Sequence, residues 1–490
     1  MKNSNPKTIG NKKTYNNDEE SIFGIRLLVI LLVAGLTFTA CSSDNDVTED
    51  TPVTPPTPAP ATYTMTVEAN KGNNNASARG FRALAENGNI TATWTAGDKV
   101  TVCKGNETLG TLTAQSSGAS TKLTGTLTTA PSENDKLTLK YLSPNYATQD
   151  GTLTGNDKSI DKVCDYATST VTVATVTDDG KVTINGTATF TSQTAFVKFL
   201  LKNSSGNPIN ASKLTITLGE YTDVNKTTTT CTITPAGGAT NAIYVALPPL
   251  NNEAIRMVAT VGNSTYVFMK TGITFGNAKY YEQGVKMKNP TYPIALSNAS
   301  FTASSTEYVG SIIGTNGNIY ATVADAGNKA RAAIAYVGSA SNCTKCLAIA
   351  LDDVNNNEST LFKWSEANTN VTTYKNSHSI NAQTDKGWRF PSVTDWRYVF
   401  QGLGGPSVPN PDTFNPDPGD PSKNEYGDGT VLRKSINTIC ANTDLGIKGY
   451  WSSTKSTTDD TAWEYSFQSS VFYSKNKESE QSSVRYVYAY

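Results

Sequence analysis

Ile90-Thr-Ala-Thr-Trp94-Thr-Ala-Gly97-Asp98-Lys99-Val100-Thr-Val102 is the stretch whose reading decides the fold. Apolar and polar residues trade places with period two on both sides of Gly97-Asp98. Each arm therefore puts one face on a core and the other in water. Gly97-Asp98 supplies a tight turn between the arms, and Trp94 can anchor the apolar face of the sheet.

The same alternation recurs in both directions. Thr64-Met-Thr-Val67 carries it upstream; Leu109-Gly-Thr-Leu112, Lys136-Leu-Thr-Leu-Lys-Tyr-Leu142 and Thr187-Ala-Thr-Phe190 carry it downstream. Clusters such as Asp178-Asp-Gly-Lys181 punctuate the runs as turns. A second group of strands reads from Phe196–Leu201, Leu214–Leu218, Ala242–Ala246 and Tyr266–Phe268. No long helical periodicity appears between Tyr63 and Asn289. This predicts a mostly β chain with two tandem β-sandwich domains, residues 63–192 and 193–289.

The composition removes several function classes. The 42 acidic and 41 basic residues nearly cancel, for a net charge of −1, so the concentrated basic surface that nucleic-acid binding needs is missing. The sequence holds 1 histidine, His378, in the polar stretch Tyr374-Lys-Asn-Ser-His378 with no nucleophile motif beside it. It reads as a solvated surface residue and disfavours triad or zinc chemistry. Of the 7 cysteines, Cys343-Thr-Lys-Cys346 has the spacing of a redox or zinc half-site but no second pair. A local disulfide and two unpaired thiols both remain open. No catalytic residue and no confident metal site emerge.

Residues 27–38 (LLVILLVAGLTF) form an apolar run of 12 residues after Arg26. About 20 apolar residues are needed to span a bilayer core, so this run reads as the core of a signal peptide covering 1–40. Thr39-Ala40-Cys41 resembles the lipobox of bacterial lipoproteins, which implies cleavage before Cys41 and lipidation of its thiol. The acidic Ser42-Ser-Asp-Asn-Asp46 behind it is similar to the signal that sends Bacteroidales lipoproteins to the outer face of the outer membrane. Thr51–Thr62 (TPVTPPTPAPAT) favours extended polyproline II, so 41–62 is a tether.

The Trp94–Val100 run, with Phe196-Val-Lys-Phe-Leu200, Tyr244-Val-Ala-Leu-Pro-Pro249 and Phe275-Gly-Asn-Ala-Lys-Tyr-Tyr-Glu-Gln-Gly284, resembles the fimbrillin family of the Bacteroidales, subunits of type V pili. The resemblance spans about 63–289. It implies transthyretin-like β-sandwich domains, other fimbrillin subunits as partners, and assembly by donor-strand addition. In that family an arginine-specific protease removes the first strand. Here Ala76-Ser-Ala-Arg79-Gly-Phe-Arg82 makes Arg79 or Arg82 the candidate cleavage point, with an ordinary exposed loop arginine as the alternative. A shaft subunit would end near Asn289; this chain continues, which argues for a tip or accessory position.

Five of the six tryptophans fall after Tyr292. Gly387-Trp-Arg-Phe-Pro-Ser-Val-Thr-Asp-Trp396 reads as a strand, a Pro-limited turn, then a helix capped by Ser392 or Thr394. With Tyr450-Trp-Ser-Ser-Thr454, Ala462-Trp463 and Val484-Arg485, it is similar to a surface domain first noted as major paralogues in Fibrobacter. That resemblance implies an α+β, C-type-lectin-like fold over 290–490 and an adhesin role toward a host or bacterial glycan or protein. The tryptophans themselves read as core rather than sugar platforms. In the long loop Gly404–Gly429, Asp412, Asp417, Asp420 and Asp428 could hold Ca²⁺ or line a ligand loop, while a solvated acidic loop is the plainer reading. Three functions compete: a pilus tip or accessory subunit, a non-polymerising glycan-binding surface lipoprotein, and an enzyme of the sulfatase-modifying type resting on Cys343 and Cys346.

Overall fold

The computed structural model describes residues 62–70, 85–86, 90–91, 93–219, 230–340, 343–354, 361–382, 387–404, 410–411, 413–440, 449–456 and 459–490. Cys41, Arg79, Arg82 and Asp412 lie outside them. The described chain is mostly β, as the period-two alternation predicts. No helix among the described residues is long and apolar enough to cross a membrane.

The N-terminal part contains β1 (Tyr63–Asn70), β2 (Ala85–Glu86), β3 (Ile90–Thr91), β4 (Lys99–Lys104), β5 (Glu107–Ala114), β6 (Ser120–Leu127), β7 (Lys136–Tyr141), β8 (Thr148–Gln149), the single-turn helix α1 (Ile160–Val163), β9 (Ala167–Val176), β10 (Lys181–Ile184), β11 (Ala188–Thr189) and β12 (Thr191–Ser192). Its main sheet runs β10-β1-β6-β5-β4-β7-β9-β12. Because β10 also pairs with β9, the sheet closes on itself like a barrel. Inside sit Met65, Val67, Val100, Leu112, Leu123 and Leu139, all alternate residues of their strands.

Trp94 departs from the expected continuous strand. Thr93 lies outside any strand, and Trp94 makes a single bridge to Gly118, each donating its N–H to the other's carbonyl (2.9 and 3.0 Å). The indole is drawn into the core, edge-on to Tyr141 and Phe190 at 5.8 and 5.3 Å. The turn is as read. Gly97 has φ +93°, and Asp98 accepts the Thr95 N–H at 2.9 Å.

β13 (Ala195–Asn203), β14 (Lys213–Leu218), β15 (Thr230–Ile233), β16 (Ala242–Leu247), β17 (Leu250–Val261), β18 (Ser264–Phe275) and β19 (Tyr280–Met287) form two facing sheets, β16-β13-β19 and β18-β17-β14-β15-β8. β8 comes from the preceding part of the chain and pairs in parallel with β15. Its Gln149, fully buried, donates to the Ala246 carbonyl and accepts the Ala246 N–H, both at 2.8 Å. This buried amide stitches the two parts together without leaving an unmet polar group.

The rest holds β20 (Ile294–Ala295), β21 (Ile312–Gly314), β22 (Asn318–Tyr320), α2 (Val323–Ala326), β23 (Ala330–Val337), β24 (Cys346–Ala350), α3 (Trp364–Ser377), β25 (Gly387–Arg389), α4 (Val393–Leu403), α5 (Gly429–Cys440), β26 (Gly449–Lys455), β27 (Thr461–Ser466), β28 (Val471–Asn476) and β29 (Val487–Ala489). One sheet runs β20-β22-β21-β23-β24-β29-β25, and β26-β27-β28 form another. Ser392, one of the two capping residues expected, starts α4 through a reciprocal capping box with Asp395. Trp396, Val399, Phe400 and Leu403 then fall on one buried face.

α5 packs across β17 and β14, where it covers the outer face of the second β part. Lys434 donates to the Asn251 carbonyl at 2.6 Å and lies 3.4 Å from the carboxylate of Glu253; both side chains are buried. Thr438 donates to the Ala254 carbonyl. β17 is consequently buried on both faces from Glu253 to Ala259.

Candidate functional site

β1 is an interior strand. All eight residues pair antiparallel with β6, while Thr64 and Met65 pair in parallel with β10, and Ala69 and Asn70 with β11. Met65, Val67 and Ala69 point inward and are at most 1% exposed. Burying the Met65 and Val67 side chains is worth about 1.5–3 kcal/mol each. Thr64, Thr66 and Glu68 face solvent, where Glu68 and Lys122 form an exposed pair at 3.3 Å. Taking β1 away would leave the N–H and C=O groups of β6 unpaired along that edge and open three apolar sockets. The segment 71–84, which carries Arg79 and Arg82, connects β1 to β2.

The last strand is held as firmly. β29 pairs with β24 on one side and β25 on the other. The Tyr490 carbonyl accepts the N–H groups of Thr344, Lys345 and Cys346 at 2.8–3.1 Å. Residues 484–490 are all buried.

The acidic loop is divided by the fold. Asp417 and Asp420 converge on Lys423, at 3.6 and 3.2 Å. Hydrogen bonds from Ser422 and Lys423 hold the Asp420 carboxyl below its ordinary range. Asp428 is elsewhere engaged: its Oδ1 accepts the Thr430 and Val431 N–H groups and caps α5. Among the described residues, no group of three or more His, Cys, Asp or Glu side chains is placed to hold a metal ion.

His378 is not a solvated surface residue. It ends α3, half-buried, with its ring stacked on Tyr374 at 3.8 Å and Nδ1 3.2 Å from the Tyr374 carbonyl. Burial holds its pKa below the usual imidazole value. Cys343 and Cys346 are buried, unpaired thiols, and burial raises both; the structure thus favours free thiols over a local disulfide. Trp388, Trp396, Trp451 and Trp463 are buried, and Trp364 donates its indole N–H to the Ser452 carbonyl at 2.7 Å.

Sequence reading missed the buried ions, because a lone Arg or Glu inside a strand looks like a solvent-facing residue. Arg485 donates to Asp353 at 2.6 Å in the C-terminal core, where Tyr450 also donates to Asp353. Glu253 and Lys434 pair beneath α5. Arg256 on β17 is 4% exposed.

No family model matches the sequence, and no curated protein matches it. Among solved structures, a fimbrial protein from Bacteroides ovatus overlaps 82% of this chain and 95% of its own, at 10% identity and a TM-score of 0.22. A fimbrial assembly protein from Parabacteroides distasonis overlaps 46% of this chain and 90% of its own, at 11% identity and a TM-score of 0.26. The shaft pilin SpaA from Lactobacillus rhamnosus GG overlaps 48% and 99%, at 11% identity and a TM-score of 0.21. Overlaps of this size assign neither family nor function, so the meaning of the site rests on its own residues.

Proposed function

We propose that this chain is a surface-exposed lipoprotein of the fimbrillin type. In this reading it is a tip or accessory subunit of a type V pilus, joined to its neighbour by donor-strand addition and meeting its ligand through residues 290–490. The observation that carries it is β1: an interior strand, bonded along both edges, whose link to the rest of the fold is a segment bearing Arg79 and Arg82. Cutting that link leaves β1 held by non-covalent contacts alone. Its departure opens a slot of fixed register, into which a strand with apolar side chains at alternate positions can add.

The terminal position has its own support. β19 continues directly into 290–490, and β29 is paired on both edges with its flanks buried. Neither strand is free to be given to a neighbour, so the subunit accepts a strand without donating one. Cys41 supplies the lipid anchor of the uncut chain in the outer membrane and Pro-rich 51–62 its spacer, both of which leave with β1 on cutting, and a surface glycan or protein is the ligand. The role is binding, without chemistry.

Digestion of the purified chain by an arginine-specific protease is expected to cut preferentially after Arg79 or Arg82. The cut chain, and not the intact one, is then expected to bind a peptide that alternates as Tyr63–Asn70 does. A cut chain that retains β1 and takes up no peptide sinks strand addition. Immunogold labelling with antibody to 290–490 tests position. Label at filament ends supports the terminal subunit, and label along filaments removes it. Label on cells without filaments leaves a non-polymerising glycan-binding lipoprotein.

A further inference from the structure

β18 is the end strand of its sheet, and its outer edge is closed at one place only. There Val267 exchanges backbone hydrogen bonds with Lys288, at 2.8 and 2.9 Å. The N–H and C=O groups of an antiparallel strand turn to one edge and the other by alternate residues, so those of Met269 also point outward. Continuing the Val267–Lys288 ladder would set Lys286 opposite Met269. β19 turns away instead, and Lys286 pairs with Lys202 of β13 in the facing sheet. Among the described residues no strand pairs with this edge of β18 beyond Val267.

A groove of about 850 Å³ opens along that edge, and the five successive residues Val267–Thr271 all line it. Side chains of a strand point alternately to opposite faces, so a space that meets five in a row lies off the edge, beside the backbone. Val309, Tyr336 and Leu403 form the opposite wall. That wall is set firmly, since a Cβ on Gly402 would lie 2.0 Å from the Ala335 carbonyl and α4 has no room to move towards β23. Apolar surface is left over on both faces of the edge. Phe268 and Ile273 are only partly buried at the margin of the second β core, as are Met269, Val309 and Tyr336 at the margin of the C-terminal core. Lys270, Lys286 and Lys288, all exposed, line the groove against the carboxylate of Glu307. Lysines beside an open edge repel a basic strand or a second copy of the same edge, and they admit an acidic one.

We propose that the open edge of β18 takes up an extended, acidic segment of a partner protein as an added strand. The segment's backbone bonds the outward N–H and C=O groups from Met269 onward. Its apolar side chains, at alternate positions, cover the exposed apolar margin and enter the groove, and its carboxylates meet the three lysines. Val309, Tyr336 and Leu403 belong to residues 290–490, so the groove gives a protein ligand a place against the part that the function proposed above makes adhesive. It stands apart from the slot of β1, because neither a cut nor the departure of that strand is needed.

Fluorescence anisotropy on the full, uncut chain, held in nanodiscs of neutral phosphatidylcholine, tests it. The labelled probes are a peptide alternating valine and glutamate, its counterpart with lysine for glutamate, and the acidic peptide with every N–H methylated. The acidic peptide is expected to bind at least about tenfold more tightly than either of the others, since several charge pairs and the strand's hydrogen bonds both contribute. Lys270→Glu/Lys286→Glu alters two exposed side chains and is expected to reverse the order of the acidic and basic peptides at an unchanged thermal melt. An order unmoved by that variant overturns the placement at β18. Equal binding by the methylated peptide, or displacement of the acidic peptide by laurate at similar concentration, overturns strand addition in favour of a groove for small amphipathic acids. Binding that appears only after arginine-specific cutting belongs to the slot of β1 and overturns this inference alone. No binding before or after cutting overturns both.

Discussion

Trp94 and His378 illustrate how one side chain's meaning depends on what packs beside it. Trp94 is 1% exposed and closes the N-terminal core against Tyr141 and Phe190. Trp94→Ala is expected to cost about 3–5 kcal/mol, read as a lower urea midpoint at unchanged slope. His378 is the single histidine of the sequence, so its imidazole titrates without overlap in an untagged chain. Burial lowers its pKa, the nearby Arg331 charge lowers it further, and the Tyr374 carbonyl and Asp352 oppose both. The unfolded chain therefore takes up the proton first as pH falls. The stability His378 contributes is present above about 6.5, the unfolded value, and is lost as pH drops through the folded value. An NMR titration is expected to place the His378 midpoint below 6.5, and a midpoint at or above it contradicts the burial argument.

At the scale of the element, β17 and α5 are joined by contacts that admit little change. A Cβ on Gly219 would lie 1.8 Å from the Lys434 carbonyl, so Gly219→Ala is expected to lever α5 away and lower the thermal midpoint. Gly284→Ala, where nothing lies within 4 Å, is the control and is expected to stay within about 0.5 kcal/mol of the unaltered chain. Lys434→Met leaves the buried carboxylate of Glu253, 1% exposed, with backbone N–H donors and without its cation, and is expected to cost about 3 kcal/mol. Adding Glu253→Gln is expected to recover part of that loss in a double-mutant cycle; strict additivity would mean the pair is not coupled.

For the whole molecule, the same junction makes residues 290–490 part of what stabilises the second β part. Ile255, Met257 and Ala259 face its own core, whereas Val258 packs with Val267 and Ala321 on the opposite side. A fragment ending at residue 289 exposes that second face and takes the Lys434 cation away from Glu253. It is expected to melt below the full chain and to bind a hydrophobic dye. Equal melting would mean that the two parts touch without supporting each other.

Much of the fold was legible in local periodicity. A strand's pattern states which of its faces is apolar, so the β class, the Gly97-Asp98 turn and the Ser392 cap follow from neighbours a few residues apart. The candidate site was legible in part. The sequence itself marks Arg79 and Arg82 after the first strand, and no periodicity says that β1 lies between β6 and β10. Pairing partners, the closure of the first sheet, and the burial of β17 on both faces arise from contacts between distant segments. The free energy of those contacts depends on shape fit and on meeting every buried polar group. Arg256 makes the difference concrete. In the strand Glu253-Ala-Ile-Arg-Met-Val-Ala259 it occupies what reads as the wet face, and only the docking of α5 and Gly310 over that face turns a surface cation into a buried one.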